Sequence, residues 1–158
     1  SPLAPFTGEF LTYLIIYAAT AAAIFSPFYT LMGYPIKGST VAGATIITLY
    51  LSAIILLAIA ISRLFARREE PFVWLLWVSI PSLLVSGASL PTEAFPRPLY
   101  LIGQLLPSSS AIEAWARVQS MGASLTDVLP EIERLSILVI VYGIVAFYAV
   151  KRDIGVNS

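Results

Sequence analysis

Three stretches of this chain run without a charged residue for as long as a bilayer is thick. Phe10–Ile36, Gly38–Ser62 and Pro71–Thr92 each reach the roughly 20 residues that a helix needs to cross. A fourth run, Leu135–Val150, is shorter, and the flanking Arg134 and Lys151 have stems long enough to snorkel to the interfaces. Charged residues are 11% of the chain and apolar residues 58%, against about 25% and 45–50% in soluble domains. No ordinary core needs that much apolar surface. The fold class expected is all-α: a polytopic transmembrane helical bundle of four spanning helices plus a short re-entrant or interfacial helical segment.

The same composition narrows the chemistry. Histidine and cysteine are both absent, which removes the commonest metal ligand and general base together with thiol chemistry. Net charge is zero and no basic stripe suggests nucleic acid. Nothing basic precedes the first apolar run, and Glu9 stands where a secretory signal would carry positive charge. A first residue Ser1 rather than Met reads as a fragment or a processed product.

Along the chain, the prolines of Ser1-Pro2-Leu3-Ala4-Pro5-Phe6 favour an extended entry. Helices are then expected over about 7–32, 40–66, 71–90 and 131–150. Pro27 and Pro81 fall inside the first and third and should bend them. Gly43, Ala44, Thr45, Thr48, Ser52 and Ala53 suit close helix packing in lipid. Arg67-Arg68-Glu69-Glu70-Pro71 is the sharpest polar break, and Trp74 and Trp77 beyond it stand where an interfacial aromatic belt would place them.

Ser86-Gly87, Pro91 and Pro96 stop the third apolar run abruptly and turn the chain back. Residues 97–121 then form the re-entrant or interfacial part. Leu99–Leu106 is too short to span and is closed by Pro107. Ser110-Ala111-Ile112-Glu113 has the pattern of a capping box, opening a helix whose Ile112, Trp115 and Val118 share a face and which ends at Gly122. Asp127 is positioned to cap the last helix, with Glu131 in its first turn.

Basic residues cluster at Arg63, Arg67 and Arg68 and again at Lys151 and Arg152. The positive-inside rule places both clusters in the cytoplasm. That works with four spans, and fails if Leu99–Leu106 crosses as a fifth.

In this order the features resemble the membrane subunit of ABC-2-type ABC exporters. Ser1-Pro2-Leu3-Ala4-Pro5-Phe6 is similar to that family's Ser-Pro-Leu-Ser-Pro entry, with Ala4 for the usual serine. Ser86-Gly87, Pro91 and Pro96 match its Ser-Gly-x-x-x-Pro turn and following proline, with Phe95 where methionine is common. Gln104-Leu105-Leu106-Pro107 and Gly122–Pro130 match two later stretches in part. A complete member normally has six spans, so this chain resembles the C-terminal four. The resemblance implies a homo- or heterodimer of permease subunits in the plasma (inner) membrane, with both ends of this chain cytoplasmic. It implies two ATP-binding cassette subunits that hold the ATP and magnesium. The chain has no GxxxxGK[ST] phosphate loop of its own, and no cofactor is expected in it.

On this reading Ser86, Gly87, Pro91, Glu93, Pro96 and Pro107 shape an outer gate or re-entrant turn; an interfacial loop that holds the last helix in register is the plainer alternative. Glu9, Arg67, Arg68, Glu69 and Glu70 are the candidates for contact with the ATP-binding subunit. Against that, the 67–70 run suits a solvated loop and Glu9 a helix dipole. Tyr13, Tyr17, Tyr29, Tyr50, Trp74, Trp77, Tyr142 and Tyr148 are candidates for a substrate path or dimer seam, or for plain packing. No central run contains a charge, unlike ion-coupled pumps, which favours an amphipathic or lipid-like cargo. An intramembrane enzyme would need a nucleophile–base pair, paired carboxylates or metal ligands at depth, and none is visible. The other class left open is a membrane channel or an assembly or scaffold protein without ATP coupling.

Overall fold

In the computed structural model of the chain, residues 3–33, 37–63, 70–85 and 96–156 are described. They form six helices: α1 Leu3–Met32, α2 Thr40–Ser62, α3 Glu70–Val85, α4 Arg97–Gln104, α5 Pro107–Met121 and α6 Leu129–Val156. No strand occurs among the described residues. Among the described residues three helices are long and apolar enough to cross a membrane, over Leu3–Pro27, Thr40–Ser62 and Leu129–Arg152. The chain is thus an all-helical membrane protein. The described part of the third apolar run, α3, has 16 residues, about 24 Å at 1.5 Å per residue.

Several boundaries differ from the expected ones. Helix α1 begins at Leu3 and takes Pro5 into its first turn, where a missing N–H costs nothing. It also continues through Pro27. Helix α2 is capped by Ser39, whose hydroxyl oxygen accepts the Ala42 N–H at 3.4 Å, and it stops at Ser62, four residues short of the expected end.

Helices α2 and α6 run side by side in the same direction. Ala42 and Ile46 share a buried cluster with Val128 and Leu135. Ile55, Leu56, Ile59 and Ala60 share a second with Ala146 and Val150. Of the small residues expected to pack closely, Gly43, Ser52 and Ala53 are buried, Gly43 against Trp115 of α5. Ala44 and Thr48 instead face α1 across an open trough. Helix α1 is laid loosely on the pair, and no residue of its apolar window is buried.

The two ends of the bundle are fixed by different contacts. At one end Glu9 of α1 is ion-paired with Arg63 at 2.8 Å, and Phe6 meets Phe147 edge-on at 5.8 Å. The start of α1 and the ends of α2 and α6 therefore lie together. At the other end the Ser39 N–H donates to the Ala123 carbonyl at 3.3 Å. Gly122, at φ 72°, reverses the chain after α5 and its N–H donates to the Arg117 carbonyl. A left-handed residue closing a helix in this way is the position that favours glycine.

Candidate functional site

The re-entrant segment expected over 97–121 is a pair of short helices. Pro96 stands at the N-cap of α4, which lasts eight residues. Leu105 and Leu106 make the turn, and Pro107 is the first residue of α5 rather than the close of the preceding segment. Proline fits there because the first helical N–H has no intrahelical acceptor in any case. The capping box expected at Ser110–Glu113 does not form, since α5 already begins three residues earlier and both residues sit inside it.

The depth of this pair is marked by a bond between its turn and α6. The Tyr142 hydroxyl donates to the Leu105 carbonyl oxygen. Tyr142 is 13 residues beyond Leu129, about 20 Å along the α6 axis. The turn between α4 and α5 therefore reaches the middle of the α6 span, while the far end of α5 lies level with the start of α6. Its outer side carries large exposed apolar residues, among them Leu101, Ile102 and Leu105. Val118 and Ala114 are buried against α2 and α6, and Trp115 packs on Phe25 of α1 at a centroid distance of 5.4 Å.

Charge ties the pair to α6. Arg117 reaches Glu131 at 3.2 Å and Glu113 at 3.7 Å, and Arg134 reaches Glu113 at 3.6 Å. Arg134 also donates to Gln104 Oε1 at 3.0 Å, so one guanidinium joins α4, α5 and α6. The Glu131 side chain is 2% exposed while Arg117 is 42% exposed. One carboxylate oxygen of Glu131 has no partner among the described residues. Glu131 lies in the first turn of α6, as expected, but its partner Arg117 stands on another helix and spacing along the chain does not reveal the pairing.

Asp127 does not cap α6. Its carboxylate accepts the Ser124 hydroxyl at 2.7 Å and the Ser124 N–H at 2.8 Å, closing the loop between α5 and α6. These two bonds, the hydroxyl first, hold its carboxyl below the ordinary value.

Of the other residues singled out in the sequence, Ser86, Gly87, Pro91 and Glu93 lie outside the described residues, as do Arg67, Arg68 and Glu69. Glu70 opens α3. Glu9 lies in the second turn of α1, beyond the reach of the helix-start dipole, and its partner is Arg63. Tyr13 and Tyr17 border a small groove with Glu9 between α1 and α2, and Tyr50 borders a groove of about 440 Å³ that runs to Trp115 and Gln119. Trp77 is exposed.

No curated protein and no solved structure matches the chain. The sequence profile of one family, described as ABC-2 family transporter protein, matches residues 1–148. That covers most of the chain, in line with the proline-flanked entry, the apolar helices and the turned-back pair before the last span. The chain belongs to the ABC-2 family of transporter membrane proteins.

Proposed function

We propose that the chain is the transmembrane subunit of an ATP-driven ABC-2-type exporter in the plasma membrane. It forms part of the substrate path, and a separate ATP-binding cassette subunit holds the ATP and magnesium and supplies the energy. A second permease subunit, identical or not, completes the path. The chain itself catalyses no reaction.

The observation that carries this reading is the α4–α5 pair: it turns at the depth of Tyr142, and α5 leaves toward the end of the bundle opposite Arg63 and Lys151. Irregular backbone at such depth is tolerated where protein or a water-filled cavity satisfies it, which is the setting of a transport path. On this reading Pro96 and Pro107 frame the pair, and Ser86, Gly87, Pro91 and Glu93 form the turn that leads into it as an outer gate.

Topology supports a fourth span. The chain leaves one end of the bundle at Arg63 and begins α6 at the other, and α5 ends on that second side. One crossing between Arg63 and the end of α5 closes the count, and α3 is the described helix available for it. Both basic clusters then face the cytoplasm, where Glu9 and residues 67–70 lie within reach of the ATP-binding subunit.

The test is co-purification of the complete subunit with an ATP-binding subunit and stimulation of that partner's ATP hydrolysis in lipid. Stable association with stimulated turnover supports the exporter. Absence of any associated ATPase overturns it in favour of a channel or scaffold.

A further inference from the structure

Helix α5 begins in mid-span with no side chain capping it. Leu106 stands at its N-cap, and Pro107 follows. In the first turn Ser109 and Ser110 are 3% and 0% exposed, and neither hydroxyl has a hydrogen-bond partner among the described residues. The chain's other helical hydroxyls behave differently. Thr45, Thr48, Ser52 and Ser136 each donate to the carbonyl four residues earlier, at 2.7–2.8 Å. For Ser109 and Ser110 those carbonyls belong to Leu105, which already accepts Tyr142, and Leu106, which accepts the Ser109 N–H at 3.2 Å.

An enclosed hydroxyl without a partner is unfavourable, and here there are two. They stand at a helix start, where first-turn N–H groups and the positive end of the dipole favour an anion. Two adjacent polar groups, both donors, at a positive helix end call for an acceptor.

We propose that the first turn of α5, Ser108–Ser110, is a binding site for an oxyanion, the carboxylate or phosphate of an amphipathic molecule held at mid-span. The Ser109 and Ser110 hydroxyls donate to it together with the amide of the first turn. A cavity of about 340 Å³ lined by Tyr100, Gln104, Arg134, Ile137 and Leu138 lies on the α4 side of the Leu105–Leu106 turn. Arg134 brings positive charge to that cavity, and an anion reaches the enclosed hydroxyls from it only if the Leu105–Leu106 turn shifts. Only the choice of an amphipathic carrier rests on the transport reading; the donor set does not.

The experiment is equilibrium binding of oleate to the full chain in nanodiscs of zwitterionic lipid, without ATP or a partner, with inorganic phosphate as competitor. Wild type and Ser136→Ala bind oleate saturably and alike, and the Ser109→Ala/Ser110→Ala variant binds at least tenfold more weakly. The empty double variant melts at or above the wild-type temperature, because two unpartnered hydroxyls have been removed. Displacement of oleate by phosphate supports the site and assigns recognition to the oxyanion alone; no displacement supports it with a lipid-borne acid as the source. Unchanged oleate binding in the double variant, no binding of either probe to wild type, or a lower melting temperature for the empty double variant overturns the site. Since no ATPase is present, failure here leaves the exporter reading standing, and failure of ATPase association leaves this site standing.

Discussion

Arg117 of α5 meets Glu131 of α6 at 3.2 Å, and the carboxylate it meets is almost wholly enclosed while the guanidinium is 42% exposed. The two partners therefore contribute unequally to stability. Truncating Arg117 leaves a buried carboxylate with neither oxygen paired, at a cost of about 1–3 kcal/mol. Glu131→Gln removes the buried charge itself and keeps an oxygen for Arg117. Arg117→Ala should lower the melting temperature in detergent clearly more than Glu131→Gln, and equal effects would contradict the enclosed position of Glu131.

The approach of α2 to α5 leaves no room for a side chain at Gly38. A Cβ there would lie 2.5 Å from the Val118 carbonyl oxygen and 2.6 Å from that of Ala123. Both obstacles are backbone, so Gly38→Ala must move the start of α2 off the end of α5 and break the Ser39–Ala123 bond. Overpacking of this kind costs about 1–3 kcal/mol. Gly8, which has nothing within 4 Å, is the matched control, and Gly8→Ala should unfold at or slightly above the wild-type temperature.

The spans of α1, α2 and α6 were legible because length and lack of charge decide them almost alone: a run such as Gly38–Ser62 has no alternative in lipid. Pro96 and Pro107 were legible as punctuation for the same local reason. The start of α5 was not. Ser110 and Glu113 have capping-box spacing, but proline at the first helical position starts the helix earlier, and Glu113 is drawn to Arg117 and Arg134 instead. Nor could spacing reveal Glu9 with Arg63, 54 residues apart, or the depth of the Leu105 turn, which depends on side chains of a different helix.

The Glu9–Arg63 pair holds the start of α1 to the end of α2, and both side chains are about one quarter exposed. A double-mutant cycle with Glu9→Gln and Arg63→Gln should give a coupling of up to about 1 kcal/mol that shrinks in high salt. Because α1 is otherwise loosely packed, proteolysis of the α1 end should accelerate in Glu9→Gln. Salt-independent coupling would mean that the contact is not electrostatic.

Asp127 gives a pH signature confined to the α5–α6 loop. Its folded-state carboxyl is held below its ordinary value by Ser124, so its contribution is present above the unfolded value of about 3.9 and lost as pH falls through the lower folded value. Hydrogen exchange at the Ser124 amide should quicken, relative to neighbouring amides, only below about pH 4. In Asp127→Asn that acid-dependent component should be missing.

A chain without cysteine allows the depth of the α4–α5 turn to be read directly from single labels. Leu105 is 62% exposed and sits level with the middle of α6, so a fluorophore on Leu105→Cys should face acyl chains. Quenching by a lipid carrying its nitroxide deep in the tail should exceed quenching by one carrying it near the headgroup. A label on Lys37→Cys, beside the Gly122 turn, should show the reverse order. Tyr142→Phe removes one of two bonds that hold this turn to α6, the other being Arg134 to Gln104; it is worth about 0.6 kcal/mol for an average side-chain hydrogen bond within a membrane, and this substitution should move the Leu105 label toward the shallow quencher. Shallow quenching at Leu105 in the wild type would show that the pair lies on the membrane surface, and the gate reading would fall with it.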